Sequence, residues 1–248
     1  MKNTVLLLLV MTLFPWAAQA GTAASERAAV MASVRLEVSR DLGAPYTPAA
    51  GVQGRTCLDG RPVDGFPGEV LEYWVNLECV YCSVREPLHA QRLNPDICVV
   101  ARHAPAPLYS ESLKKALSYE ALKTFSSNAA NTFWEAVTPK TALAVPAPYA
   151  AALVQAVESA AVSADAFSAA LSGEAAATVD GDMQAAQGRI TSTPTYVLAG
   201  VRFPACDFTA AQLPLALELA RKARAGDKES AEKIVEIITS GLLGEKLL

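Results

Sequence analysis

Strong strand character occupies only two short regions of this 248-residue chain, and they stand far apart. The first holds Val70-Leu71-Glu72-Tyr73-Trp74-Val75 and Ile97-Cys98-Val99-Val100-Ala101, runs rich in β-branched and aromatic residues. The second holds Thr195-Tyr196-Val197-Leu198 and Val201-Arg202-Phe203, with Ala199-Gly200 able to turn one into the other. Over 104–189 strand signals vanish and alanine dominates. Helical patterns recur there over 109–125, 129–137, 148–159, 164–171 and 175–187, punctuated by Pro139, Pro146, Pro148 and Gly173. A helix is expected over 79–92, between the first two strands, and two more over 209–225 and 228–242. The Gly- and Pro-rich stretch 43–69 reads as loop, with one short strand over 52–57. An α/β core carrying a helical insertion is the economical architecture.

Composition removes several classes. At 52% apolar and 19% charged the chain is globular rather than disordered. A net charge of −4 and a pI near 5.3 exclude a general nucleic-acid binder, which needs a basic surface. Five cysteines are too few, on this length, for a disulfide-stapled miniprotein.

The N-terminus reads as an address. Lys2 is the only charge before residue 26, an apolar run covers 4–14, Pro15 breaks it, and Ala18-Gln19-Ala20 follows. This is the pattern of a secretory signal peptide over 1–20, with cleavage expected after Ala20. The other reading is an uncleaved anchor, for which the apolar core is short against a span of about 20 residues. Export would place the mature chain in the periplasm, where disulfides persist. A helix is expected over 25–42, with Ser25 as its cap and Met31, Val34, Val38 and Leu42 as a narrow apolar stripe. The stripe can pack on the parent domain or join subunits through a short seam.

Cys79-Val80-Tyr81-Cys82 follows a strand and is expected to open a helix. The free N–H groups and partial positive charge of a helix start favour a thiolate at the first cysteine. A thiolate is the nucleophile of disulfide exchange, and a low thiol pKa also makes a good leaving group. Cys79 is therefore the expected attacking residue, and Cys82 the one that resolves a mixed disulfide. Two other readings stand beside this one. Half of a zinc site would need a second close pair of ligands, but Cys57, Cys98 and Cys206 are scattered and only His89 and His103 remain. A purely structural four-residue disulfide ring constrains little chain. No metal and no cofactor beyond the dithiol is expected.

Thr193-Pro194 precedes the strand at 195–198. Its position after the helical stretch, with the CxxC upstream in a β–α–β unit, points to a cis bond facing the dithiol. Such a bond would present the Thr193 backbone to an extended substrate as an added strand.

On these residues the chain resembles a DsbA-type thiol-disulfide oxidoreductase, a thioredoxin fold with an inserted all-helical domain. The resemblance covers roughly residues 66 to 225 and rests on the strand at 70–74 leading to Cys79-Val80-Tyr81-Cys82. It rests also on the insertion after Val99-Val100, on Thr193-Pro194-Thr195-Tyr196-Val197, and on Pro87, which matches a proline that kinks the active-site helix in many such proteins. It implies a signal peptide over 1–20, an N-terminal helix and linker over 21–50, a thioredoxin-like domain over 51–103 and 190–248, and a helical insertion over 104–189. It implies disulfide formation or exchange in exported proteins that are unfolded or wrongly oxidised, with a membrane redox partner that resets the dithiol. A homo-oligomer through the N-terminal helix is compatible with it, and no nucleic acid is involved.

The departures concern tuning. Val80-Tyr81 replaces the Pro-His of the oxidase pattern, so no imidazole stabilises the thiolate. Tyr81 before the second cysteine and Thr193 before the proline are closer to the isomerases DsbC and DsbG, so isomerase or reductase is the alternative within the class. A redox-inactive peptide-binding chaperone or secretion component on the same fold is the alternative outside it. Glu78, next to Cys79, is expected to raise its pKa. Glu72 resembles the strand carboxylate that takes a proton under the resolving cysteine, although it stands one residue too far from Cys79; a solvent-facing glutamate is the other reading. In a thioredoxin-type sheet the strand near Cys57 would neighbour that of Cys98, so a Cys57–Cys98 bridge is one possibility and buried inert thiols the other. Trp74, Phe203 and Trp134 read as core aromatics, the last within the insertion.

Overall fold

The computed structural model describes residues 4–47, 51–105, 111–140 and 145–245, with the backbone alone over 4–23. Strands β1 (Glu69–Val75), β2 (Ile97–His103), β3 (Thr195–Leu198) and β4 (Val201–Pro204) form one sheet in the order β2-β1-β3-β4. β1 and β2 run parallel, which demands a crossover, and α2 (Arg85–Leu93) supplies it. β3 lies antiparallel to both of its neighbours. The β3–β4 hairpin turns through Ala199 and Gly200, both at positive φ, as the twist of two antiparallel strands requires. A Cβ on Gly200 would stand 2.7 Å from the Tyr46 ring, so glycine is needed for room as well as conformation.

The helical stretch is α3 (Ser112–Phe125), α4 (Ser127–Val137), α5 (Tyr149–Ser159), α6 (Ala164–Ser172) and α7 (Glu174–Ala186), all inserted between β2 and β3. α8 (Gln212–Arg224) and α9 (Lys228–Leu242) follow the sheet. Local chemistry sets several of these ends. Ser126, Ser163 and Asp227 cap α4, α6 and α9 by accepting from backbone N–H groups of the first turn.

Side chains of β1 alternate between two layers. Leu71, Tyr73 and Val75 enter the main core, where Tyr73 stacks on Tyr196 at 4.4 Å between ring centroids and on Trp134 at 6.0 Å. Val70 enters a smaller core with Cys98 and Val100 on the other face, and Trp74 lies there under the Arg102 guanidinium at 4.3 Å.

That second face carries a buried charge cluster joining the sheet to the insertion. Asp182 of α7, 1% exposed, accepts from Arg102 Nε at 2.6 Å, from Arg55 Nη1 at 2.9 Å and from the His103 backbone N–H at 2.9 Å. Glu120 of α3 accepts from Arg55 Nη2 at 3.2 Å and meets His103 Nε2 at 2.8 Å. Burial pushes the Glu120 carboxyl up, but Lys123, Arg55 and His103 outweigh it and hold the carboxyl well below the usual range. His103, to which the sequence assigns no role, is thus a member of this cluster.

Several expectations are corrected. No strand forms over 52–57: only Thr56 and Pro62 make an isolated bridge, because the segment turns back on itself through Cys57 N–H to Arg61 O and Gly60 N–H to Cys57 O. The segment still lies along β2, through Leu58 N–H to Val99 O at 2.8 Å. The N-terminal helix, α1 (Thr4–Gly43), runs through Pro15 and Ser25, so Ser25 is not its cap. Lys2 lies outside the described residues. Among the described residues no helix is long and apolar enough to cross a membrane. The apolar stripe is used within the chain: α1 packs on α9 and β4, Val34 and Val38 are buried, and Met31 and Leu42 pack against the same core. Arg35–Glu232 and Arg27–Glu245 ion pairs flank that contact, and Arg202 of β4 grips Asp41 and Glu37.

Candidate active site

The helix expected from Cys79 begins at Arg85, and the segment 76–84 is a series of turns. The cause is legible in the hydrogen bonds. Pro87 has no N–H to offer the Ser83 carbonyl, which accepts instead from the Tyr73 hydroxyl at 3.0 Å. The Cys82 carbonyl is taken by Trp134 Nε1 at 2.8 Å. Pro87 therefore sits in the first turn of α2, where it helps to define the start rather than a kink.

Asn76 shapes the turn. Its carbonyl accepts from Cys79 N–H at 2.9 Å, and its Oδ1 accepts from Glu78 N–H at 3.0 Å and from Ser112 Oγ at 2.7 Å. The insertion adds further supports: Thr138 Oγ1 donates to Leu77 O at 2.9 Å, and Lys115 Nζ pairs with Glu78 Oε1 at 3.3 Å. Ser112, Lys115, Trp134 and Thr138 thus brace the CxxC turn from α3, α4 and the end of α4. Sequence reading missed this support, since nothing local links residues so distant along the chain. Trp134 belongs to the shared core rather than to the insertion alone.

Cys79 is half-buried and Cys82 fully buried, both as thiols. Cys79 Sγ lies 3.2 Å from the Thr193 carbonyl oxygen, and the Thr193–Pro194 peptide is cis. The Cys79 pKa is lowered to about 6. The hydrogen bond from the Cys82 thiol is the main cause. The backbone N–H groups of Tyr81 and Cys82 and the Thr193 side chain add to it, against the opposing effect of burial. These local N–H groups take the place of the helix terminus expected from the sequence. Cys82 moves the other way, well above the ordinary thiol range, through burial and then through its bond to Cys79 and the Cys79 charge. The pair is therefore split into an ionisable outer thiol and a protonated inner one, the division needed for a nucleophile and a resolving group.

Tyr81 is 63% exposed, and its contribution to the thiolate comes from its backbone N–H rather than its ring. Val80 and Tyr81 line a groove of about 680 Å³ together with Cys79, Met183, Ile190 and Thr193. The expectation for Glu78 fails because its carboxylate turns to Lys115, and the Cys79 pKa falls rather than rises. The expectation for Glu72 fails on strand alternation: Tyr73 faces Cys82, so Glu72 points to the opposite layer and pairs with Arg102 Nη1 at 2.8 Å. Tyr73 stands where Glu72 was expected to act. A count of six residues back from Cys79 rather than seven would have found it.

Cys57 and Cys98 are joined by a disulfide, with their Cα atoms 5.3 Å apart, so neither serves as a thiolate ligand. Cys206 is a buried thiol whose pKa burial pushes up to about 12.

These values carry a labelling prediction. With iodoacetamide on the reduced protein, Cys79 should react with a pH midpoint of about 6. Cys82 and Cys206 should stay unmodified until the chain unfolds. Mass spectrometry of the peptides reads both, and a Cys79 midpoint near the ordinary value of about 8.5 would contradict the geometry.

No protein-family model matches the sequence. No curated protein matches it either. Solved structures do match in three dimensions. A thioredoxin-like oxidoreductase from Silicibacter pomeroyi DSS-3 superposes with a TM-score of 0.50 at 20% identity, over 64% of this chain and 90% of that one. A linker-deletion mutant of ScsC from Proteus mirabilis gives 0.49 at 16% identity, over 89% and 97%. The oxidoreductase DsbA from Xylella fastidiosa gives 0.47 at 19% identity, over 69% and 95%. The structural neighbours are thus thioredoxin-like and DsbA-like oxidoreductases. The chain has the α/β thioredoxin fold with an inserted set of helices.

Proposed function

We propose that this protein is an exported thiol-disulfide oxidoreductase that forms or exchanges disulfides in other exported proteins through Cys79 and Cys82. The observation that carries the proposal is the split pair: an outer thiol with a pKa of about 6, open to a groove, over a buried protonated partner. In the oxidising direction a substrate thiolate attacks Cys79 of the Cys79–Cys82 disulfide, and the Cys82 sulfur leaves with the electron pair. A second substrate thiolate then attacks its partner sulfur in the mixed disulfide, and Cys79 leaves reduced. In the shuffling direction the Cys79 thiolate attacks a substrate disulfide, and Cys82 or the substrate releases it. The groove beside Thr193 and Pro194 suits an extended chain pairing with the Thr193 backbone. The thioredoxin-like unit is 51–103 with 190–248, and the insertion is 104–189. The Cys57–Cys98 disulfide supports a periplasmic site of action after removal of residues 1–20. The substrates are unfolded or wrongly oxidised proteins, and a membrane redox partner resets the pair.

The test is the reduction potential of the pair, measured in glutathione buffers with free thiols counted by mass. A Cys79 pKa of about 6 falls between about 7 for thioredoxin and about 3.5 for the strongest oxidant of this type. The potential should accordingly fall between about −270 and about −120 mV. A pair that forms no reversible Cys79–Cys82 disulfide in any buffer would overturn the proposal.

A further inference from the structure

One turn of α3 grips the segment that carries the nucleophile. Ser112 and Lys115, three residues apart and so on one face of the helix, reach the Asn76–Cys79 turn at two points. Ser112 Oγ donates to Asn76 Oδ1 at 2.7 Å, and Asn76 in turn takes the N–H groups of Glu78 and Cys79. Lys115 Nζ meets Glu78 Oε1 at 3.3 Å and donates to the Val137 carbonyl at 3.1 Å. The Lys115 side chain is only 5% exposed and that of Glu78 18%.

A lysine held this deep, with one carboxylate and one carbonyl to meet, calls for a reason. Glu78 gives one. It directly precedes the nucleophile and lines the same groove, and its second oxygen, Oε2, is buried without a hydrogen bond among the described residues. Lys115 is the only cation within ion-pair distance of it among those residues. The other ionisable groups around Cys79 are Cys82 and Tyr81 of its own turn. From the facing side, α7 and the segment 188–193 line the groove with uncharged side chains such as Met183, Gln187 and Thr193, and the residues after β2 with Ala104 and Pro105. No second cation lines the groove to replace Lys115.

We propose that Lys115 tunes the dithiol: by neutralising Glu78 it keeps a carboxylate charge from opposing the Cys79 thiolate, so the inserted helices set the oxidising strength of the thioredoxin-like unit. Lys115 is outside the groove lining and is a positioning residue that acts through Glu78. Reduction of the Cys79–Cys82 disulfide consumes two electrons and one proton and leaves Cys79 as thiolate and Cys82 as thiol. Only the reduced pair carries the charge that Glu78 opposes, so an uncompensated Glu78 makes the pair a weaker oxidant. The inference rests on the dithiol function proposed above.

The experiment takes the full chain and two readouts: the pH midpoint of Cys79 alkylation by iodoacetamide, and the reduction potential in glutathione buffers. There two glutathione thiols supply the electrons and join as a disulfide. Lys115→Met keeps the buried stem and removes the charge, and should move the midpoint from about 6 to about 7. Near pH 7 the reduced pair then loses about fivefold of the stabilisation that ionisation gives it. At 29.6 mV per tenfold, that lowers the potential by about 20 mV. Glu78→Gln should do the opposite and bring the midpoint below the wild-type value, because Lys115 is then uncompensated. The double variant should return it to the wild-type value. Glu78→Gln leaves the core untouched, so it decides the matter if Lys115→Met fails to fold. Midpoints for Lys115→Met and Glu78→Gln that coincide with the wild type would overturn the tuning and leave the dithiol function standing. A shift in Lys115→Met that Glu78→Gln does not reverse would also overturn it, since Lys115 would then act through its bond to Val137 alone. A wild-type protein that forms no reversible Cys79–Cys82 disulfide would overturn the dithiol function and this inference with it.

Discussion

Cys79→Ser should abolish disulfide exchange, while Cys82→Ala should accumulate mixed disulfides. An alcohol does not ionise near pH 7, so serine keeps the shape and loses the nucleophile. The loss should be at least about a thousandfold, below the roughly millionfold cost of removing a covalent nucleophile in a protease. It is read as the rate of exchange with a cysteine-containing peptide disulfide. The fold should survive, because Cys79 is only half-buried and a serine hydroxyl can keep the contact of its sulfur with the Thr193 carbonyl. In Cys82→Ala the outer thiolate still attacks, but the intramolecular release is gone. A covalent adduct of the peptide at Cys79 should therefore persist in mass spectra. Absence of the adduct would leave the Thr193–Pro194 face as a binding surface without redox work, and exchange that survives in Cys79→Ser would place the nucleophile elsewhere than Cys79.

Asp182→Ala should be among the most destabilising single changes in the chain. The carboxylate is 1% exposed and stands between two guanidinium groups and a backbone N–H. Its removal leaves Arg55 and Arg102 under-compensated, and breaking a buried pair in this way costs about 3–5 kcal/mol. For a chain of this size that corresponds to a melting temperature lower by about 10 °C. The same cluster should give the protein an acid limit. The Glu120 carboxyl is depressed in the folded state, so its contribution is complete above the unfolded value of about 4.3 and is lost as pH falls toward the folded one. Glu120→Gln should therefore flatten the loss of stability below about pH 4, measured by denaturant titration. A full-strength cluster and an unchanged slope are incompatible.

Much of the architecture was legible because it depends on short-range pattern. β-branched and aromatic runs mark β1 to β4, helical periodicity marks α3 to α9, and Ala199-Gly200 marks the hairpin turn. The candidate site is legible for the same reason: a CxxC after a strand and a proline before a strand are local signals. The structure brings Cys79 within 3.2 Å of the Thr193 carbonyl. The errors fall where a backbone group finds a distant partner. Periodicity could not foresee that Tyr73 and Trp134 would occupy the carbonyls of Ser83 and Cys82 and delay α2 to Arg85.

By itself, then, the sequence determined the order of strands and helices, the spacing of the cysteines and the proline, and the acidic, globular character of the chain. Each follows from propensity, periodicity or count. Tertiary structure decided which carboxylate faces which layer, what neutralises Glu78, and why Cys79 is ionisable while Cys82 is not. Those outcomes depend on strand parity, on burial, and on hydrogen bonds from residues as distant as Ser112 and Thr138. A charge has a cost or a benefit only in its folded surroundings, and these surroundings are assembled from parts of the chain that carry no mark of one another.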